Sequence, residues 1–280
     1  MDDTLGVLST LTASITGADV AVVVATLAVG VLAGMLSALL GIGGAVVTTP
    51  AVRVLGATPI EAVGSTVPAI LPGAISGAVR YARAGLVDWT LATGLGISGA
   101  VFALAGAGVS SLVDGRLLMV VTAALMLWSG ISVLRGADPT PTEEDVVAPP
   151  PDVARPMWKV VLVGAGSGFV AGLLGVGGGI IMVPAMAGPL GIPMKKAVAS
   201  SLVAVAIFSV PALVAHMALG HVDWTYALPL MLGVVPGAQL GARMTIGASE
   251  RTLRRAFGLL VVVLAVVYGA TELSSLLRGS

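Results

Sequence analysis

The chain has no cysteine, few charges and few aromatic side chains, and each shortage removes a class of protein. Without cysteine there are no disulfides, iron–sulfur clusters or thiolate zinc sites. Only 10% of the 280 residues are charged, against roughly 25% in a soluble domain. Such a chain cannot cover a water-facing surface, so its outer face is expected to meet lipid. Fourteen Lys and Arg balance fourteen Asp and Glu, which leaves no basic footprint for nucleic acid. Two histidines and no His-Glu-x-x-His string leave a metalloprotease centre without ligands. The only lysines are Lys159, Lys195 and Lys196, so no lysine sits inside a span to hold a retinal chromophore. Neither a metal nor a cofactor is expected.

What is present is hydrophobic sequence, 57% of the chain, with a mean hydropathy of +1.05. A helix needs about 20 apolar residues to cross the hydrocarbon core. Stretches free of Asp, Glu, Lys and Arg run 20–52, 62–79, 89–113, 117–134, 160–194, 197–222, 224–242 and 256–271. About eight transmembrane helices follow. The opening Met1-Asp2-Asp3-Thr4 lacks the positive region of a signal peptide, so the first run is expected to be a retained helix. The runs 20–52 and 160–194 are too long for one helix and too short for two. Each contains a glycine cluster and then a proline: Gly41-Ile42-Gly43-Gly44 with Pro50, and Gly175-Val176-Gly177-Gly178-Gly179 with Pro184. Both residue types interrupt helices, which predicts a spanning helix, a break, and a short half-helix or re-entrant segment.

The two halves match each other. Gly41 to Gly44 align with Gly175 to Gly178 at an offset of 134, which Pro50 and Pro184 keep. One residue is then inserted. Ser65-Thr66 match Ser200-Ser201, and Gly85-Leu86-Val87-Asp88-Trp89 match Gly220-His221-Val222-Asp223-Trp224, at 135. The expected fold is all-α integral membrane, with two tandem four-helix repeats at 18–135 and 158–275. An acidic, Pro-rich linker at 136–157 joins them. Four spans per half is an even number, which predicts parallel repeats; a different count for the broken segments changes the parity and makes them inverted. With four spans per half, eight basic residues face one side and six the other. The positive-inside rule then puts both termini and the linker outside a cell membrane.

An unwound backbone in lipid is costly unless it is buried in protein or faces a cavity. Two breaks at matching repeat positions therefore point to a transporter's central site. Glycines let the backbone approach a ligand and leave N–H groups free, and helix N-termini add partial positive charge. Together these can bind an anion without Lys or Arg in the membrane centre. The expected substrate-binding residues are Gly41, Gly43, Gly44 and Pro50, then Gly175, Gly177, Gly178, Gly179 and Pro184. The competing reading is close helix packing through small residues. The hydroxyl pairs Ser65-Thr66 and Ser200-Ser201 are expected beside that site as neutral donors. Their alternative role is back-bonding within their own helix. Asp88 and Asp223 read as helix N-caps. His216 and Gln239 are the coupling candidates, with a place among headgroups and a bond to a neighbouring helix as their structural alternatives. No Lys follows the glycines as in a phosphate loop, and no enzyme is expected.

The strings Gly-Ile-Gly-Gly-Ala-Val-Val-Thr-Thr-Pro at 41–50 and Gly-Val-Gly-Gly-Gly-Ile-Ile-Met-Val-Pro at 175–184 resemble the paired signature of the TauE/SafE sulfite exporter family of membrane permeases. The duplicated layout, the following Ala-x-x-Ser pattern and the chain length are similar too. The resemblance implies secondary transport or facilitation of a small sulfur-containing anion, such as sulfite or a sulfonate. Ala45 stands where the second copy has Gly179, which makes the second copy the first place to test. A bulky residue at Gly177 is expected to abolish flux and leave the fold intact. Two other readings stay open: a membrane scaffold or partner subunit docking through the linker, and a transporter of another small ion. The expected partners are a small anion and the lipid bilayer.

Overall fold

The computed structural model describes residues 20–110, 113, 115–135, 156–174, 177–218 and 220–278. The predicted linker, apart from Pro156 and Met157, lies outside them, as does Gly175. The described residues form helices and no strand. Before the linker come α1 (Val20–Leu40), α2 (Ala45–Val54), α3 (Pro59–Arg83), α4 (Trp89–Ser110) and α5 (Gly115–Arg135). After it come α6 (Met157–Leu174), α7 (Gly179–Ala187), α8 (Met194–Ala218), α9 (Trp224–Gly247) and α10 (Glu250–Arg278). Five helices are individually long and apolar enough to cross a bilayer, at 20–40, 61–83, 89–106, 157–174 and 194–218. This is an all-α, multi-pass membrane protein.

Local chemistry sets the helix boundaries. Proline occupies the first position of α3, and Thr58 closes a capping box with Glu61. Asp88 accepts the Leu91 N–H at 3.0 Å, and Asp223 accepts that of Thr225 at 2.8 Å. Both aspartates are the N-caps their sequence predicts. No residue next to α8 caps it; the distant Glu250 carboxylate accepts the Met194 and Lys195 N–H groups at 2.8 and 3.2 Å.

The halves pack crosswise, helix against helix, through glycines. A Cβ on Gly30 would stand 2.8 Å from the Leu230 carbonyl oxygen. On Gly34 it would meet the Val234 backbone, and on Gly237 that of Val31. The same occurs between α4 and α6, where Gly99 abuts Gly164 and Gly168 and Gly106 abuts Phe169. Small residues let backbones approach where lipid offers no hydrophobic drive for association.

These contacts also fix directions. Gly30, Gly34 and Met35 meet Leu230, Val234 and Gly241 in ascending order, so α1 runs parallel to α9. Gly64, Gly73 and Gly77 meet His221, Val234 and Ala238, so α3 does too. Yet Ser65 lies beside Asp223, Gly77 beside Leu202 and Asp88 beside Ser200, so α3 runs antiparallel to α8, its counterpart. Likewise Gly130 meets Gly258 and Val262 while Leu134 meets Gly258, making α5 antiparallel to α10.

The halves are therefore inverted with respect to each other, the alternative to the parallel arrangement that four spans per half predicts. The reason is α2. Ala38 lies level with Gly77 and Tyr81, late in α3, whereas the Leu55 carbonyl accepts the Tyr226 hydroxyl at the start of α9. The chain climbs through α1 and descends again through α2. This hairpin makes no net crossing. Three crossings per half remain, an odd number, and the second half enters from the opposite side.

Candidate functional site

The two hairpins meet tip to tip inside the bundle. At the first tip the Gly41 N–H closes α1 on the Ser37 carbonyl at 2.7 Å. Gly41 and Gly43 then adopt φ of +72°, and at the second tip Gly177 adopts +85°. This left-handed backbone turns the chain back at little cost only for glycine. A Cβ on Gly43 would lie 3.6 Å from the Gly177 Cα. On Gly179 it would overlap the Gly41 carbonyl oxygen, and on Gly178 it would come within 2.7 Å of that of Ser167. Gly44, the counterpart of Gly178, shares its helical φ, −67° against −71°, but nothing comes closer than 3.7 Å to an added Cβ.

Both half-helices start at these tips. The first internal bonds of α2 run from Val47 and Thr48 to the Gly44 carbonyl, each at 3.1 Å. Those of α7 run from Ile181 and Met182 to Gly178, at 3.2 and 3.0 Å. Neither N-terminus has a side-chain cap. The leading N–H groups thus have no intrahelical acceptor, and the positive ends of two helix dipoles converge on the tips. The prolines sit inside the half-helices, past the turns. Pro184 has no N–H for the Ile180 carbonyl, which instead accepts the Ser129 hydroxyl of α5.

The hydroxyl pairs divide their roles. Ser65 accepts the Asp223 N–H at 2.9 Å, and Ser200 accepts the Asp88 N–H at 3.1 Å. Each ties the start of a helix in the opposite half, a contact that sequence gave no sign of. The other members face the breaks. Ser201 donates to Val198 or Gly41 carbonyls at 2.9 and 3.0 Å, while Thr66 donates to Val63 at 2.9 Å and pairs with Thr49 at 3.3 Å. Gln239 donates to the carbonyl and hydroxyl of Ser76, both at 2.9 Å, and so joins α9 to α3. His216 lies at the far end of α8, edge-on to His221 at 5.5 Å between ring centroids. The Nδ1 atoms of both histidines are buried without a partner. Neither Gln239 nor His216 touches the glycine tips. Among the described residues no cluster of His, Asp or Glu could hold a metal.

A cavity of about 10 Å³, room for one water, opens at the first tip. Ser37, Gly44, Thr48, Thr66, Gly73 and Val234 are among the residues that line it. A second cavity of the same size adjoins Gly177, but its walls are mostly apolar, including Met126, Val170, Ile180 and Ile181. Ser37, Thr48 and Thr49 escaped the reading of the sequence. Their signal was available: at the offset of 134, Thr48-Thr49 match Met182-Val183 and Ser37 matches Ala171.

Comparison with known proteins assigns a family. The family described as "Sulfite exporter TauE/SafE" matches residues 26–268. A "Probable membrane transporter protein" of Xylella fastidiosa (strain 9a5c) is 32% identical, covering 87% of this chain and 93% of its own. "Probable membrane transporter protein YunE" of Bacillus subtilis is 29% identical over 80% of this chain and 89% of its own. "Probable membrane transporter protein MJ0441" of Methanocaldococcus jannaschii is 25% identical over 81% and 87%. No solved structure matches.

Proposed function

The chain belongs to the sulfite exporter TauE/SafE family, and on that footing we propose that it is a secondary transporter or facilitator of a small sulfur-containing anion. One observation carries this reading above the others. Two uncapped half-helix N-termini, held on inverted hairpins, converge where the halves meet. Their unfilled N–H groups and dipoles suit an anion and offer nothing to a metal cation. A passive scaffold would have no use for such a costly interruption. The backbone of Gly41, Gly43, Gly44, Gly177, Gly178 and Gly179, with the hydroxyls beside it, forms the substrate region. Inverted repeats supply the mechanism: each half can rock against the other, opening the shared tips to one side and then the other.

The inverted topology sharpens the orientation. The ends of α3, α5 and α9 and the starts of α6, α8 and α10 share one face of the bundle. That face carries Arg80, Arg83, Arg135, Lys159, Lys195, Lys196, Arg243, Arg251, Arg254 and Arg255. Only Arg53, Arg116 and Arg278 among the described basic residues belong to the other. Ten against three favours the first face on the cytoplasmic side of a cell membrane under the positive-inside rule. The termini then face out, while the acidic linker faces in, opposite to the placement expected from a parallel fold.

The test is transport by the purified chain in proteoliposomes. Sulfite, sulfate, thiosulfate and taurine are supplied singly, and divalent cations serve as competitors. Saturable flux of one sulfur oxyanion, indifferent to the cations, supports the reading. Absence of flux for all four, or flux of a cation, would overturn it.

A further inference from the structure

We propose that the chain has one anion seat and not two. The space at the first tip takes the small oxyanion, while Phe208 and Met182 close the corresponding space at the second. The inference deepens the transport reading and rests on it for the nature of the ligand.

The argument is a position-by-position comparison of the two tips. Gly44, Thr48 and Ser37 correspond to Gly178, Met182 and Ala171 at an offset of 134; Thr66, Gly73 and, in reverse, Val234 correspond to Ser201, Phe208 and Gly99 at 135. In the first half Gly73 leaves the cavity wall open. In the second, the Phe208 ring stands there. Its Cζ is 3.1 Å from the Cβ position of Gly178, and its Cδ1 is 3.2 Å from that of Gly99. Phe208 is 4% exposed and Met182 is fully buried. Where the first tip offers a hydroxyl at 48, the second offers a thioether, a weak acceptor with no proton to give.

At the second tip the Ser167 hydroxyl is buried without a partner but lines neither cavity, whereas at the first tip the spare donor faces open space. Thr48 already donates to the Gly44 carbonyl at 3.1 Å and Thr66 to that of Val63 at 2.9 Å. Ser37 lines the cavity, is 5% exposed, and its hydroxyl makes no hydrogen bond among the described residues. It opens on the cavity, free to donate to a guest. An oxyanion seated there accepts from the Ser37 hydroxyl and from the leading N–H groups of α2. The cavity holds only one water, so the tips must part for the anion to enter, as rocking of inverted halves provides.

The chain has no cysteine, so single cysteines report access cleanly. Thr48→Cys and Met182→Cys, each in the full-length protein in proteoliposomes, are treated with a small anionic methanethiosulfonate reagent. Sulfite flux of the parent and of Ser37→Ala is measured separately, with melting temperature as a folding control. One seat predicts labelling of Thr48→Cys at least tenfold faster than Met182→Cys, and a tenfold or greater loss of flux in Ser37→Ala with its melting unchanged. Equal labelling at the two positions, or undiminished flux in Ser37→Ala, overturns the one-seat inference while parent flux still supports transport. Asymmetric labelling of the two cysteine variants beside a parent that moves none of the oxyanions overturns the transport reading and the seat's ligand with it.

Discussion

Replacing Gly44 separates a ligand-facing glycine from a packing one. Its backbone is already helical, with φ −67° and ψ −17°, so a side chain introduces no strain. The atoms nearest a Cβ built there belong to Ala33, at 3.7, 3.8 and 3.9 Å, which is ordinary contact. Gly→Ala at a compatible backbone stabilises a protein by about 0.4–1 kcal/mol, through the reduced freedom of the unfolded chain. Gly44→Ala is therefore expected to melt in detergent at or slightly above the parent. Flux should move the other way. The cavity has room for one water, and a side chain at its rim competes with the anion for the α2 N-terminus. We expect a loss of about tenfold for alanine, near 1.4 kcal/mol, and near-complete loss for leucine. Gly179→Ala is the contrast. Its Cβ would overlap the Gly41 carbonyl oxygen and stand 2.6 Å from the Ile42 Cα, both immovable without parting the hairpins. Overpacking of that kind costs about 1–3 kcal/mol, so melting falls along with flux. The assay pairs sulfite flux in proteoliposomes with thermal melting of the same preparations. Gly44→Leu that folds and transports like the parent would refute the reasoning, because the α2 N-terminus could not then be touching the substrate.

Four further outcomes follow from the geometry. Cysteines at Arg83 and Ala218, equivalent positions at an offset of 135, should react with an impermeant reagent from opposite sides of the membrane; labelling from one side would restore the parallel topology. Ser65→Ala and Ser200→Ala each strand a partly buried N–H, so each should lose about 1–3 kcal/mol of stability, measured as a lower melting temperature that a serine restores. Asp223→Ala should cost about 1 kcal/mol as a lost N-cap while Asp223→Asn retains the parent's melting and flux; an Asn variant without flux would instead make the carboxylate a proton carrier. Gln239→Leu removes the α9–α3 link to Ser76 and should lower melting without altering substrate affinity; a changed KM with unchanged melting would return Gln239 to the transport path.

Much of this protein is legible in its sequence because the bilayer permits so little. A chain with so few charges has no soluble option, apolar run length sets helix number, and only glycine tolerates the left-handed turn at each break. The N-cap roles of Asp88 and Asp223 are equally local, since a cap bonds within its own first turn. Direction was not local. Whether α2 continues across the membrane or returns depends on what its far end touches, and Leu55 finds its partner Tyr226 some 171 residues away. That contact returns α2 to the side from which α1 set out, and so turns parallel repeats into inverted ones. Burial was not local either. Gly44 and Gly179 look alike as letters in two copies of one motif, and the extra glycine of the second copy made it the more inviting target. Tertiary packing reverses that choice: Gly179 and Gly178 are glycine because another backbone lies against them, and Gly177 because of its φ of +85°, so a bulky residue at 177 would damage the fold before it tested transport. Sequence by itself determined that there are two breaks. Only the crosswise meeting of the halves decided which of them has space beside it, because that space is enclosed by residues from both.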